Sequence, residues 1–480
     1  MEISKLKKGK TFTFQIEDMA FGGKGIARIV TESGKYPIFI PNTIPGQTVT
    51  AKIIKRKKNF SEAKLKRVVE KAPDEISSEY QTIPGAPYAA WPIEKQREHK
   101  LDSAREILRR IGKLEDPENS FDTFITSPRD FHYRNKMEYS FSAVTAHPET
   151  GDYIDGFGLG FKHRGQWLAV ENLNGDSGLF DAQIENAFPR LRSFFENTGL
   201  PPWHPSRHEG FYRLLNFRKS FFEDKFLVNL TTSSKDLAQF DRQAFIDLLI
   251  ELHGERIAGI LHTVTDALGD RGFEADSPPQ LIYGRDTVIE KISGLEFEIS
   301  IDSFFQPNPA AAEKLYAKGV DYALSPGIDP DKHIYMDLFC GTGTIAQLMA
   351  YEIADDKTVI GVDIVQSAVD NAVKNAERNK LTQLNFHAAD VKHFLKDYPD
   401  YSGRLAVLIL DPPRAGIVPK ALKKIIELNA RRIVYISCNP ASQARDLEIL
   451  GEAGYYLKKW SVVDQFPHTS HIETVVVLEK

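Results

Sequence analysis

The sequence predicts an α/β protein in three parts: a small β-barrel over 1–70, a mixed, β-rich α+β central domain over 71–295, and a doubly wound, Rossmann-like parallel sheet over 296–480. Three observations carry this reading. Short alternating runs separated by glycine turns fill the first 70 residues, and strand-like runs dominate the middle. Beyond residue 300, apolar runs alternate with amphipathic segments and end at Cys340, Asp363, Asp390, Asp411 and Cys438, landmarks 21 to 27 residues apart. Strand, helix, strand at that interval is the pattern of a parallel sheet.

TFTFQI and VTAKIIK alternate apolar and polar residues, and Gly22-Gly23, Ser33-Gly34 and Pro45-Gly46 supply turns between such strands. Several short strands in so few residues suggest a barrel of the oligonucleotide-binding kind. Up to Arg67 the chain carries fifteen Lys and Arg against five Asp and Glu, although its net charge is −5. The cluster Lys55, Arg56, Lys57 and Lys58 is closely followed by Phe60. A basic module on an acidic body points to a polyanion, with RNA or DNA first among them. The competing reading is a solvated strand edge protected by lysines.

Residues 71–87, rich in Pro, Gly and Ser, read as a connector. Over 94–112, Leu101, Ala104, Ile107, Leu108 and Ile111 recur at helical spacing. Between 125 and 295 the runs KMEYSFSAV, FLVNLTT, GILHTVT and EFEISI read as strands, with helices at 181–197 and 236–253. YRNKMEYSF places Arg134 and Lys136 among aromatics, a mixture that grips phosphates and stacks on bases, or equally the polar side of an ordinary strand. NPAAAEKLYAKGVDYALS then leads, as a helix, into the C-terminal repeat of strands and helices.

At 42% hydrophobic and 26% charged residues, the composition is that of an ordinary globular protein. Two cysteines make no disulfide framework. MEISKLKKGK has no apolar core and reads as no secretory leader. No run approaches the roughly 18 apolar residues of a membrane span. The expectation is a cytoplasmic protein with no membrane partner.

In an open parallel sheet, ligands bind beyond the carboxyl ends of the strands. Gly341 and Gly343 follow the first strand, where backbone must approach a ligand closely. Asp363 ends the second strand, placed to accept from both hydroxyls of a ribose. Asp390 follows the third, placed for an adenine edge. Each carboxylate has an ordinary alternative as a helix cap, but in this order they point to a nucleoside cofactor. The dinucleotide fingerprint is incomplete, because position 346 is Ala. S-adenosylmethionine, which has no phosphate to cradle, fits better.

Asp411-Pro412-Pro413-Arg414 closes the fourth strand, and Cys438 the fifth. A thiol there has a chemical purpose if the methyl acceptor is C5 of a pyrimidine. Thiolate attack at C6 loads electron density onto C5, and a base then removes the C5 proton. The helix beginning near Ala441 is expected to lower the thiol pKa through its N-terminal amides. His468, His471 and Glu473 cluster near the final strand, and Glu473 is placed as the base. The competing readings are a buried structural cysteine and a solvated glutamate. No cysteine or histidine cluster supports a metal, and Cys340 reads as packing.

FFQPN (304–308), DLFCGTGT (337–344), DPPRAG (411–416), SCNP (437–440) and HIET (471–474) resemble, in order, the motifs of the RNA uridine C5-methyltransferase family. The first 70 residues look like that family's RNA-binding TRAM domain. The resemblance implies Cys438 as nucleophile, Glu473 as base, and a cofactor site lined by Gln306, Phe339, Gly341, Gly343, Thr344, Asp363, Asp390 and Asp411. It implies 5-methyluridine formation in transfer or ribosomal RNA, and packing of the 94–112 helix on the catalytic domain; no obligate protein partner is evident, and a monomer is expected. Many members carry four cysteines for an iron–sulfur cluster in the N-terminal half. Here that half has none and PGAPYAAWPIEKQ stands in the place of three, so no cluster is expected and Tyr88 and Trp91 are expected to fill its place. Cytidine C5-methylation, or an RNA-binding or RNA-folding protein with a vestigial site, are the alternatives.

Overall fold

The apolar runs ending at the five landmarks form neighbouring strands of one sheet. A computed structural model describes residues 6–31, 34–146, 153–162, 168–269, 277–329 and 331–480. The sheet has eight strands in the order Leu384–Ala388, Thr358–Asp363, Ile334–Leu338, Leu405–Leu410, Arg432–Ser437, Glu473–Glu479, Tyr456–Val463 and Phe121–Ile125. The first five run parallel. Glu473–Glu479 is antiparallel to both of its neighbours, and Tyr456–Val463 pairs in parallel with Phe121–Ile125. LAVLIL and RIVYIS are buried along their whole length, as strands covered by helices on both faces must be.

The edge strand Phe121–Ile125 comes from inside the stretch expected as the central domain. The helix before it, Ile93–Arg110, follows the same course. Its buried Ala104, Ile107 and Leu108 share one core with Ala444 and Leu447 of the Pro440–Glu452 helix. At about 1.5–3 kcal/mol for each fully buried large aliphatic side chain, this face holds the helix to the catalytic half.

The first 70 residues form a six-stranded sheet ordered Thr11–Gln15, Thr48–Arg56, Ser61–Glu70, Gly34–Pro41, Lys24–Thr31 and Asp18–Ala20. Its alternation is legible in burial: Val49, Ala51 and Ile53 face a core with Phe14, Ile38 and Ile40. Of the expected Ser33-Gly34 turn, Ser33 lies outside the described residues. A second small core joins Met19 of this sheet and Ile44 of the loop before Thr48–Arg56 to Ala72, Tyr88 and Trp91. The last two rings meet edge to face at 5.4 Å.

The middle of the chain builds a seven-stranded sheet centred on Lys136–Ala146, Tyr212–Ser220 and Lys225–Thr232. The helix expected over 181–197 is two, Ala182–Asn186 and Phe188–Asn197. Pro189 has no N–H to continue the first, and it sits where a proline is tolerated, in the first turn of the second. The helix expected over 236–253 starts at Arg242, capped by Asp241, whose carboxylate accepts from the Ala244 N–H at 3.0 Å. No helix among the described residues is long and apolar enough to cross a membrane.

Candidate active site

The ends of the five parallel strands, the loops at 300–307 and 466–471, and parts of the central region line a cavity of about 1700 Å³. Gln306, Phe339, Gly341, Thr344, Asp363 and Asp390 line one part of it, and Asp411, Cys438, Glu473 and Arg134 another.

Sheet register brings the reactive groups together. Leu338 pairs with Leu410, Leu410 with Tyr435, and Ser437 with Thr474. Asp411 therefore follows the strand beside the one ending at Cys438. One residue beyond the Ser437–Thr474 pair, Cys438 and Glu473 come next on adjacent antiparallel strands. Thr474 fixes this corner, donating from Oγ1 to Gln443 Oε1 at 2.8 Å. Asn439 caps the following helix, its Oδ1 accepting from the Ala441 N–H, and its Nδ2 donates to Arg414 O at 3.0 Å. That bond ties the loop after Asp411 to the one after Cys438.

The electrostatics differ from the sequence expectation. Burial, then the nearby Glu473 and Asp411 carboxylates, push the Cys438 thiol up to about 11, against the weaker pull of Arg414. Any pull from the helix N-terminus is outweighed by loss of water and two carboxylates. Burial raises Asp411 to about 7. Burial and then Asp411 hold Glu473 well above the ordinary carboxylate range. The crevice thus disfavours negative charge on three groups at once, and a cation bound there relieves all three.

The remaining lining suits a nucleoside. Phe339 has φ 67°, a left-handed conformation uncommon for a bulky residue, and it opens the turn Gly341–Gly343. A Cβ built on Gly341 meets nothing within 4 Å, so that backbone borders open space. Gly343 is different: its Cβ would stand 2.7 Å from Phe386, and it does not line the cavity. The Asp363 carboxylate accepts from the N–H groups of Gly341 and Val365, each at 2.9 Å, and keeps further lone pairs for a ligand. Asp390 caps the Val391–Asp397 helix through the N–H groups of Lys392 and His393, and its exposed carboxylate still borders the cavity. No side chain caps the helix starting at Thr344. Together these features fit an adenosyl group.

Lys136 and the cluster Lys55, Arg56, Lys57 and Lys58 do not line the cavity. The cluster is exposed on the Thr48–Arg56 strand and the turn after it, with Lys55 Nζ 5.9 Å from the Phe60 ring centre. Burial and then the Arg218 charge lower Lys136 to about 8. Among the described residues, no group of three or more His, Cys, Asp or Glu side chains is placed to hold a metal ion. His468 is buried and faces Gln96, while His471 lines the cavity.

Sequence reading missed Tyr316. It lies on the Pro309–Leu324 helix, lines the cavity and hydrogen-bonds the Gln306 side chain; burial, then Asp411, raise its hydroxyl far above the usual range. The available signal was a tyrosine on the apolar face of the helix that follows FFQPN. Phe304, the first ring of that motif after Ser303, stands 68% exposed at the cavity rim, a placement no local pattern announces.

The family model described as tRNA (Uracil-5-)-methyltransferase matches residues 280–480, and the TRAM domain model matches 5–66. The chain is 35% identical over 481 residues to a Clostridium tetani protein named as an uncharacterized RNA methyltransferase, covering 99% of each. A protein of the same description from Caldanaerobacter subterraneus is 34% identical, with 99% of this chain and 100% of the relative covered. Among solved structures, the Pyrococcus abyssi tRNA (uracil-54, C5)-methyltransferase in complex with S-adenosyl-L-homocysteine matches with a TM-score of 0.69 and 23% identity. It covers 97% of this chain and 100% of that one, a likeness of fold along the whole length.

Proposed function

Because the chain belongs to the RNA uridine C5-methyltransferase family, we propose that it methylates C5 of a uridine in structured RNA, giving 5-methyluridine, with Cys438 as nucleophile and Glu473 as base. The observation that carries the reading is the register that sets Cys438 and Glu473 side by side at a cavity shared with Asp411.

S-adenosylmethionine, when bound, supplies an electrophilic methyl group on a sulfonium. Gln306, Phe339, Gly341, Thr344, Asp363, Asp390 and Asp411 are the residues to hold it, with Asp363 toward the ribose and Asp390 toward the base. Cys438 loses its proton to water and its sulfur bonds to C6 of the uracil, making C5 an enolate carbon able to accept the methyl group. Glu473, as carboxylate, then accepts the C5 proton. The electron pair of that C–H bond restores the C5–C6 double bond and expels the Cys438 thiolate. A uridine inside a helix must leave its stack to reach Cys438, and Arg134 and the exposed Phe304 border the path it takes.

The family model carries the name of transfer RNA, which supports tRNA as the first substrate to test. The test is incubation of the protein with methyl-labelled S-adenosylmethionine and separate tRNA and rRNA fractions, followed by nucleoside analysis. Label in 5-methyluridine from either fraction supports the reading. Label in 5-methylcytidine, or none in nucleosides, overturns it.

A further inference from the structure

The base Glu473 begins a strand, but the loop delivering it, 464–472, packs mostly on residues from elsewhere in the chain. Lys100 Nζ donates to Asp464 Oδ1 at 2.6 Å and to Phe466 O at 3.0 Å. Tyr133 Oη donates to Pro467 O at 3.0 Å. His468 has a left-handed backbone, φ 62°, and stacks on Phe131 at 4.3 Å. Gln96, fully buried, clasps the same residue: its Oε1 accepts from the His468 N–H at 2.9 Å. The Gln96 Nε2 donates to Tyr88 O and Trp91 O at 3.0 and 2.7 Å. The Tyr88 N–H in turn donates to His468 O at 3.0 Å.

Tyr88 and Trp91 also form the small core with Met19 of the N-terminal sheet and Ile44 of the loop before Thr48–Arg56. The turn of that sheet reaches the loop directly. A Cβ built on Gly23 would stand 3.0 Å from both Cβ and Oγ of Ser470, and 3.5 Å from the Tyr88 hydroxyl. Ser470 lies three residues before Glu473 and lines the cavity. Packed contacts therefore run from the N-terminal sheet to Ser470 and the loop that leads to the base.

We infer that the N-terminal sheet positions the catalytic base as well as contacting RNA: its Gly22-Gly23 turn, seated on Ser470, together with the Gln96–His468 clasp, holds the 464–472 loop so that Glu473 stays in register with Cys438. Gly23 and Gln96 are positioning residues. The inference rests on the proposed role of Glu473. It implies that the RNA-contacting module and the proton-removal step are mechanically joined, so that displacing the turn slows turnover without first weakening RNA binding.

The two adjacent glycines supply the test. Both are left-handed, φ 89° at Gly22 and 85° at Gly23, so an alanine costs similar backbone strain at either. At Gly22 the added methyl meets nothing within 4 Å; at Gly23 it meets Ser470. G22A, G23A, S470G and G23A/S470G are compared with wild type for kcat and KM on RNA, and for amide hydrogen exchange of the 464–473 peptide. The expected result is a kcat for G23A about 10-fold or more below that of G22A, up to the roughly 100-fold that a 1 Å misplacement of a reacting group can cost, with KM within about twofold. Exchange of the peptide should be faster in G23A than in G22A, and S470G should restore both readouts in the double variant. Equal behaviour of G22A and G23A, or a G23A defect that S470G does not relieve, overturns the inference. If G23A does not fold, a folded and active double variant supports the contact, and an unfolded one overturns it. If wild type transfers no methyl group, the proposed function fails, and the exchange comparison still decides the coupling.

Discussion

Lys100 and Asp464 form an ion pair at 2.6 Å with both side chains out of water, 1% and 0% exposed. Their positions in the chain are 364 residues apart. The pair anchors the helix Ile93–Arg110 to the start of the loop that leads to Glu473. A buried pair is costly to halve, because the partner left behind is an uncompensated charge. Asp464 keeps a longer contact to Arg97, 3.4 Å, so Lys100→Ala is expected to destabilise the protein by somewhat less than the roughly 3–5 kcal/mol of a fully broken buried pair, read as a lower denaturant midpoint. Replacing both partners, as Lys100→Met with Asp464→Leu, should recover most of that loss. A midpoint unchanged in Lys100→Ala would contradict the assignment.

The covalent mechanism separates the two site residues kinetically. Cys438→Ala is expected to abolish methyl transfer while leaving RNA binding intact. Glu473→Gln is expected to trap the methylated RNA on the protein, because the Sγ–C6 bond breaks only after the C5 proton leaves. The adduct should run as a slow band on a denaturing gel and vanish in Cys438→Ala/Glu473→Gln. Free RNA alone in the Glu473→Gln lane would remove Glu473 from the role of base.

The thiol gives a pH dependence with a definite sign. Cys438 is raised to about 11 by burial and then by Glu473 and Asp411, so the reactive thiolate grows about tenfold per pH unit across the neutral range. In the absence of ligands, alkylation of the Cys438 peptide, followed by mass spectrometry, should climb between pH 7 and 9 without a plateau. Glu473→Gln removes a carboxyl group that helps to raise the thiol and should speed the reaction. Arg414→Leu removes the opposing positive charge and should slow it. A plateau below pH 8 would show a thiolate already stabilised.

The exposed cluster Lys55, Arg56, Lys57 and Lys58 offers charges to a phosphate backbone. Changing all four to Gln should weaken RNA binding and flatten its salt dependence, the slope falling by about 0.7 for each single-strand phosphate that the cluster no longer neutralises. Binding measured over a salt series reads this. An unchanged slope would place the RNA path elsewhere on the protein.

The parallel strands were legible because LAVLIL and RIVYIS are uninterrupted apolar runs whose polar ends fall at regular intervals. The strand Phe121–Ile125 was not, because FDTFI is short and its partner, Tyr456–Val463, lies far along the chain. No local pattern encodes a pairing at that separation. The reactive pair could be nominated from SCNP and HIET, but the charge state of Cys438 could not. The helix near Ala441 is local and visible, whereas Glu473 and Asp411 reach the thiol only through sheet register. The Gln96–His468 clasp was equally hidden, since an isolated glutamine on a helix gives no sign of its partner. The helix break at Ala187 had its cause in view, at Pro189.

The outer edge of the large sheet is the strand Phe121–Ile125, and it closes on Tyr456–Val463, a strand made much later. Trp460 Nε1 donates to Pro117 O across 343 positions of chain. Where domains fold in order as the chain leaves the ribosome, this edge of the sheet cannot close until Tyr456–Val463 has been made. A chain halted before Tyr456 would leave Phe121–Ile125 as an unpaired, apolar strand, an invitation to chaperones and to aggregation.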